Sequence, residues 1–275
     1  MEFSFVKQLK SKAMIKLIVT DMDGTLLGEN HHFPSDFQEV FQELYKREIL
    51  FCVASGRQYP SLLQFFKSVH HQMGFIAENG GYVLLKEQEI YEDTIDNQNV
   101  TLLLDICQTI PNIGVALCGK KGAYLNASDS ETYYNIGKYY PVLHQVTDLY
   151  QVDDAIFKIA IFDKNNPRNN SYQRLKLYEN QFKIVVSGDK WLDITNLSVN
   201  KGVALKQIQQ KLGISPQETM VFGDYLNDLE LMQTAYFSYA MKNAQPEVKQ
   251  VANFVTEEDN VHSGVLKTIR KVLNI

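Results

Sequence analysis

The sequence has no apolar run approaching the roughly 20 residues that a membrane-spanning helix needs, so a helical membrane protein is excluded. It is also poor in cysteine. Cys52, Cys107 and Cys118 are scattered and show no C-x-x-C spacing, which rules out a disulfide framework and a cysteine zinc site. That usage suits a reducing cytoplasm, with each thiol serving as a small core hydrophobe. Positive charge is in deficit. A net charge of −5 with no basic run argues against nucleic acid or an anionic membrane as partner. No repeat or low-complexity segment is present, and no G-x-x-x-x-G-K-[ST] phosphate loop. The opening MEFSFVKQLKSKAM carries lysines, but the IKLIVT that follows is too short for a signal-peptide core.

What the sequence does have is alternation. Its 275 residues, 45% hydrophobic, suffice for about two domains. Short β-rich runs (15–20, 49–56, 74–81) alternate with helix-period segments, the pattern of an α/β fold. Ser35-x-x-Gln38 reads as a capping box before Phe37, Val40, Phe41 and Leu44 at helical spacing. After Gly81 the character shifts to a block with its own strands at 82–85, 114–118, 156–162 and 182–187. A helical face of Val100, Leu103, Leu104 and Cys107 lies among them. From Asn200 the first style resumes. Leu205, Ile208 and Leu212 mark a helix stopped by Gly213, and Ser215-Pro216-Gln217-Glu218 forms a further capping box before a strand at 219–224. The plainest organisation is one domain from 1–82 plus 191–275, with a second, 83–190, inserted into it.

Three expected strands of the outer domain end in polar clusters: DMDGT, ASGR and GDYLND. Open α/β sheets bind ligands beyond the carboxyl ends of their strands. Convergence of those ends puts Asp21, Asp23, Ser55, Asp224, Asn227 and Asp228 around one point. Carboxylates crowded in this way repel one another unless a cation sits among them. An all-oxygen donor set without His or Cys suits a hard ion, and Mg²⁺ is the usual one beside phosphate. Such an ion would keep Asp21 charged and able to act as a nucleophile. Ser55 and the backbone around Gly56 can donate hydrogen bonds to phosphoryl oxygens, Lys201 can add a point charge, and Asp23 can exchange a proton with a leaving alcohol. Each piece also has a plain reading: Asp-Gly is a common turn dipeptide, most lysines are solvated, and acids favour helix starts. An EF-hand fails, because Gly24 is fourth from Asp21 and the twelfth residue is His32. Their joint occurrence at strand ends favours the phosphoryl-transfer reading.

The four motifs, DMDGT (21–25), ASGR (54–57), Lys201 in SVNKG and GDYLND (223–228), occur in the order of a haloacid dehalogenase-superfamily phosphatase of the Cof type, which the chain resembles from Met14 onward. ENGG (78–81) and NAQPEVKQVANFVT (243–256) are secondary matches. The resemblance implies a Rossmann-like parallel-sheet core with an inserted α/β cap. It implies Asp21 as the nucleophile forming an aspartyl-phosphate and Asp23 as the general acid/base. Mg²⁺ would be held by Asp21, the Asp23 backbone carbonyl and Asp224, with Asp228 in support. Phosphate would be held by the Met22 backbone, Ser55, Gly56, Lys201 and Asn227. The implied partner is a small-molecule phosphate monoester, of a sugar or similar metabolite. Arg57 and Asn79 border the expected site as substrate contacts or loop anchors. The sequence departs from the family pattern at Ser55 (commonly Thr), Lys242 (commonly Gly) and Ser263 (commonly Asp). Two rivals stand beside hydrolysis: a sugar phosphomutase using the same intermediate, and a non-catalytic phospho-ligand-binding protein. In the inserted block, Tyr133, Tyr134, Tyr139, Tyr140 and His144 are expected as ordinary core in preference to a sugar-stacking surface.

Overall fold

The computed structural model describes residues 14–126 and 129–275. The segment before Met14, where the sequence resemblance begins, lies outside the described residues. The chain folds as two compact units. One comprises the residues up to Ser55, Ser68–Tyr91 and Asn200–Ile275; the other comprises Gly56–Lys67 and Glu92–Val199. The strands in chain order are β1 (Leu17–Asp21), β2 (Leu50–Ala54), β3 (Gly74–Ala77), β4 (Tyr82–Leu85), β5 (Gln88–Glu92), β6 (Ile113–Gly119), β7 (Ala123–Leu125), β8 (Leu143–Gln145), β9 (Ile156–Asp163), β10 (Phe182–Gly188), β11 (Trp191–Asn196), β12 (Thr219–Gly223), β13 (Phe237–Ala240) and β14 (Phe254–Val255).

The first unit is built on an eight-stranded sheet in the order β14-β13-β12-β1-β2-β3-β4-β5. Its run from β14 to β3 is parallel, and β4 turns back antiparallel on β3. This is the expected α/β class. β1 is buried along its whole length, which is why LIVT reads as an unbroken apolar run and not as an alternating one. The helix Phe37–Lys46 covers the sheet with Phe37, Val40, Phe41 and Leu44, and Phe37 meets Phe51 of β2 edge-on with ring centres 5.5 Å apart. Its N-cap is Asp36, with no side-chain capping bond, so the Ser35 box does not form. The Phe37 N–H instead closes a turn on the Pro34 carbonyl. The Ser215–Glu218 box does form, but it heads a single 3₁₀ turn, Pro216–Glu218. Gly213 ends the helix Lys201–Leu212 in the left-handed conformation expected of it.

The second unit has a six-stranded sheet in the order β10-β11-β9-β6-β7-β8, antiparallel except where β7 meets β8. Alternation along β9 gives the sheet two apolar faces. Ile159 and Ile161 join Val100, Leu103, Leu104 and Cys107 of the helix Asn97–Gln108, while Ala160 and Phe162 join Ile136 and Tyr140. The tyrosine stretch is not ordinary core. Tyr133, Tyr134 and Tyr139 are exposed, His144 is exposed and stacks on Tyr124, and Tyr140 alone of the five is buried. The helix Ser130–Gly137 is amphipathic, and it turns Thr132 and Ile136 inward and the neighbouring tyrosines out. Pairing in the first sheet continues through β4 to Leu85, and β11 pairs with β9 and β10 in the second. All three cysteines are free and buried. Among the described residues no helix is long and apolar enough to cross a membrane.

Candidate active site

Register explains why distant motifs meet. β1 lies between β12 and β2, with Asp21 level with Ala54 and Thr20 level with Phe222. Ser55 therefore follows one step beyond Asp21's level on one side, and Asp224 leaves the end of β12 on the other. The strand order runs outward from β1 in opposite directions, through β2 and β3 on one side and β12, β13 and β14 on the other, so this end of the parallel sheet is a topological switch point.

Asp21 is almost wholly buried, and its carboxylate is met by the ammonium of Lys201, Nζ to Oδ1 2.5 Å. The same ammonium donates to Oδ1 of Asp228 at 2.7 Å. Lys201 is the first residue of its helix, which Asn200 caps by accepting the Val203 N–H at 2.8 Å. A cation there opposes the helix dipole and, with the side chain fully buried, also loses its hydration. The two carboxylates supply the compensation. Asp228 spends its other oxygen on the N–H groups of Asp224 and Tyr225, at 3.0 and 3.2 Å, and so fixes the turn that presents Asp224. Asp224 is held in turn by the Thr25 hydroxyl, which donates to its Oδ1 at 2.6 Å. Gly24 makes this packing possible. Its φ is +80°, and a Cβ there would stand 2.4 Å from Oδ2 of Asp224.

Carboxylate oxygens of Asp21, Asp224 and Asp228 lie within 4.8 Å of one another. Fully ionised, three carboxylates against one ammonium would leave two negative charges uncompensated. Burial drives the Asp21 carboxyl well above the usual carboxylate range, with Lys201 opposing and Asp228 and Asp224 adding to the rise. Burial likewise pushes Asp224 up to about 6, against the Thr25 hydrogen bond and with the charge of Asp228. Lys201 loses by burial, but Asp21 and Asp228 outweigh that and hold it above its ordinary value. The donor set is all oxygen and the charge deficit is that of one divalent cation. The residues fit Mg²⁺.

Several of the other expected site residues also fall in this unit. Met22 is buried, and its carbonyl accepts from Thr25 and Leu27, closing the loop after β1. Ser55 is buried, its backbone bonded to Ile76 and Asn79. Asn227 donates its amide to Asn79 Oδ1 at 2.9 Å, so these two expected residues touch each other. Asp23 is not part of the carboxylate triad. Its side chain is 41% exposed and lies 2.9 Å from Nδ1 of His31. The strand ends at Asp21, so the two-residue alternation that would align the acids is broken by the turn at Met22. Gly56 and Arg57 fold with the second unit, where the Arg57 guanidinium stands 5.3 Å from the Phe65 ring centre.

Sequence reasoning missed Thr25, His31, Asn243 and Asn260. The last two brace the loop that follows β1. Asn243 donates to the Gly24 carbonyl and Asn260 to the Leu27 carbonyl, both at 2.8 Å, and the Asn260 N–H returns to Asn243 Oδ1. Thr25 and Asn243 lay inside quoted motifs. His31 and Asn260 carried no signal.

A family model for haloacid dehalogenase-like hydrolases matches residues 18–269. The chain belongs to that family and is an enzyme of the phosphatase kind. It is 32% identical over 266 residues to YbjI of Escherichia coli K12, a 5-amino-6-(5-phospho-D-ribitylamino)uracil phosphatase, a match covering 94% of this chain and 96% of that protein. Among solved structures it is similar to SMU.1108c from Streptococcus mutans UA159, with 31% identity, a TM-score of 0.82 and coverage of 95% of this chain and 100% of that one. It is also similar to TM0651 from Thermotoga maritima, with 25% identity, a TM-score of 0.84 and coverage of 94% and 97%.

Proposed function

We propose that the protein is a Mg²⁺-dependent phosphatase that hydrolyses phosphate monoesters of small metabolites, sugar phosphates or similar, through an aspartyl-phosphate on Asp21. The observation that carries this reading is the buried Asp21 carboxylate, held by Lys201 inside a cluster with the carboxylates of Asp224 and Asp228. Asp21, the Asp23 backbone carbonyl and Asp224 would hold the ion, with Asp228 in support. When bound, Mg²⁺ supplies the positive charge that lets these carboxylates and a phosphoryl group share one site.

The chain's own residues then do the rest. An oxygen of Asp21 attacks phosphorus, and the ester oxygen leaves with a proton taken from Asp23. A water molecule, giving its proton back to Asp23, attacks the phosphorus of the aspartyl-phosphate; inorganic phosphate departs and the Asp21 carboxylate is restored. Lys201, the Met22 and Gly56 backbone, Ser55 and Asn227 hold phosphoryl oxygens. Positioning and charge neutralisation carry most of such catalysis. Arg57 and Asn79 are proposed contacts to the substrate beyond the phosphoryl group, and the inserted segment, read from the sequence as 83–190 and folded as the compact stretch Glu92–Val199, is proposed as the cap that selects it. The ribityl phosphate in the name of the E. coli relative makes polyol and sugar phosphates the first to try. The buried free thiols are in keeping with a cytoplasmic setting.

A Mg²⁺-supported panel of sugar phosphates, the ribitylaminouracil phosphate, nucleotides, flavin mononucleotide and pyridoxal phosphate tests the reading. Turnover should vanish with chelator, return with Mg²⁺, and be lost in a folded Asp21→Asn variant. Undiminished hydrolysis by Asp21→Asn would sink the mechanism.

A further inference from the structure

The proposed acid/base, Asp23, meets an imidazole that no family motif names. Nδ1 of His31 lies 2.9 Å from Oδ1 of Asp23, at hydrogen-bonding distance. The loop that brings it there is bent sharply. Asn30 and His31 both take left-handed backbone conformations, with φ of +53° and +58°. The Gly28 N–H closes on the His32 carbonyl at 2.9 Å, and the His32 N–H on that of Glu29 at 3.0 Å. Asn260 pins the preceding Leu27 carbonyl. Two successive non-glycine residues in this region are costly. The return in stability is small, because the imidazole is 64% exposed and a solvated pair contributes little. Strain that stability does not explain, beside reacting groups, points to function.

We infer that His31 is a positioning residue for the acid/base: through its contact with Oδ1 it holds the Asp23 carboxyl in the orientation from which the proton passes to the departing ester oxygen. The inference rests on the assignment of Asp23 as acid/base. It makes a demand that a merely structural loop residue does not. An alkyl ester leaves as a poor alkoxide and needs the proton, whereas p-nitrophenolate leaves without it. Because kcat/KM reports steps through the first irreversible one, its ratio between the two esters isolates proton delivery to the leaving group from the later attack of water.

The experiment compares sorbitol 6-phosphate with p-nitrophenyl phosphate, under saturating Mg²⁺, in the unsubstituted protein and in His31→Gly, His31→Asn and Asp23→Asn. Glycine accepts a φ of +58° without strain, so His31→Gly keeps the loop path and removes only the imidazole. General acid catalysis is worth about 10²–10⁴-fold, and loss of a partner that orients the acid should lower the alkyl-to-aryl ratio roughly tenfold. His31→Asn, which keeps a side-chain donor and tolerates the left-handed region, should recover part of that loss. An unchanged or raised ratio in His31→Gly, with Asp23→Asn lowering it, overturns this inference alone. An unchanged ratio in Asp23→Asn overturns it together with the assignment of Asp23.

Discussion

Lys201 is placed where a cation is least welcome, buried at the start of a helix, and the site's electrostatics follow from what compensates it. Removing one partner of a buried ion pair leaves the others uncompensated and costs about 3–5 kcal/mol. Lys201→Met should therefore destabilise the metal-free protein by about 3 kcal/mol in denaturant titration, with Mg²⁺ restoring part of the loss. A loss under about 1 kcal/mol would mean that the carboxylates do not depend on the ammonium. A second expectation concerns pH. Asp224 is raised to about 6, so the folded metal-free protein binds this proton more tightly than the unfolded chain does. Its contribution favours folding as pH falls and is lost as pH rises through about 6. Mg²⁺ needs the ionised carboxylate and works in the opposite sense. The thermal shift produced by Mg²⁺ should be large above about pH 7 and shrink below about pH 5, and a shift constant across that range would contradict the cluster as the metal site. Asp21, Lys201, Asp224 and Asp228 are legible in the sequence because each stands at a strand end or helix start inside a motif. Thr25 and His31 are not legible as contacts, because they reach their partners through loop conformations that no residue spacing encodes.

At the scale of elements, the site depends on how firmly the helix Lys201–Leu212 is seated. A Cβ on Gly202 would stand 2.5 Å from the Glu230 carbonyl oxygen, so this helix approaches the short helix Leu229–Met232 backbone to backbone. Gly202→Ala must push them apart and shift Lys201 with them. The expected cost is about 1–3 kcal/mol in a thermal melt, together with a lower kcat. Unchanged kcat in a destabilised variant would detach the seating of this helix from catalysis. The elements themselves are read well where apolar runs are unbroken or helical spacing is clear, as in β1, β12 and Phe37–Lys46. They are read poorly where capping competes with turns. At Ser35 a turn through Pro34 displaces the expected box, and at Ser215 the box closes only one 3₁₀ turn. The tyrosine stretch misleads for a related reason: composition records apolar area but not which side of an amphipathic helix carries it.

At the scale of the molecule, the second unit has a sheet and two apolar clusters wholly its own. A segment spanning 92–199 should therefore fold alone, with a cooperative thermal transition by circular dichroism and no turnover. A broad, non-cooperative melt would contradict its independence. The central claim is a covalent intermediate on one carboxylate, and it can be observed directly. Protein incubated with Mg²⁺ and a reactive phosphate ester, then quenched in acid and digested, is analysed by mass spectrometry, with Asp23→Asn used to slow the hydrolytic half. The expected result is a phosphoryl group on Asp21, labile to hydroxylamine and absent from Asp21→Asn. Turnover with the phosphoryl group on another residue, or with no phosphoenzyme in Asp23→Asn during active cleavage of the ester, would contradict it.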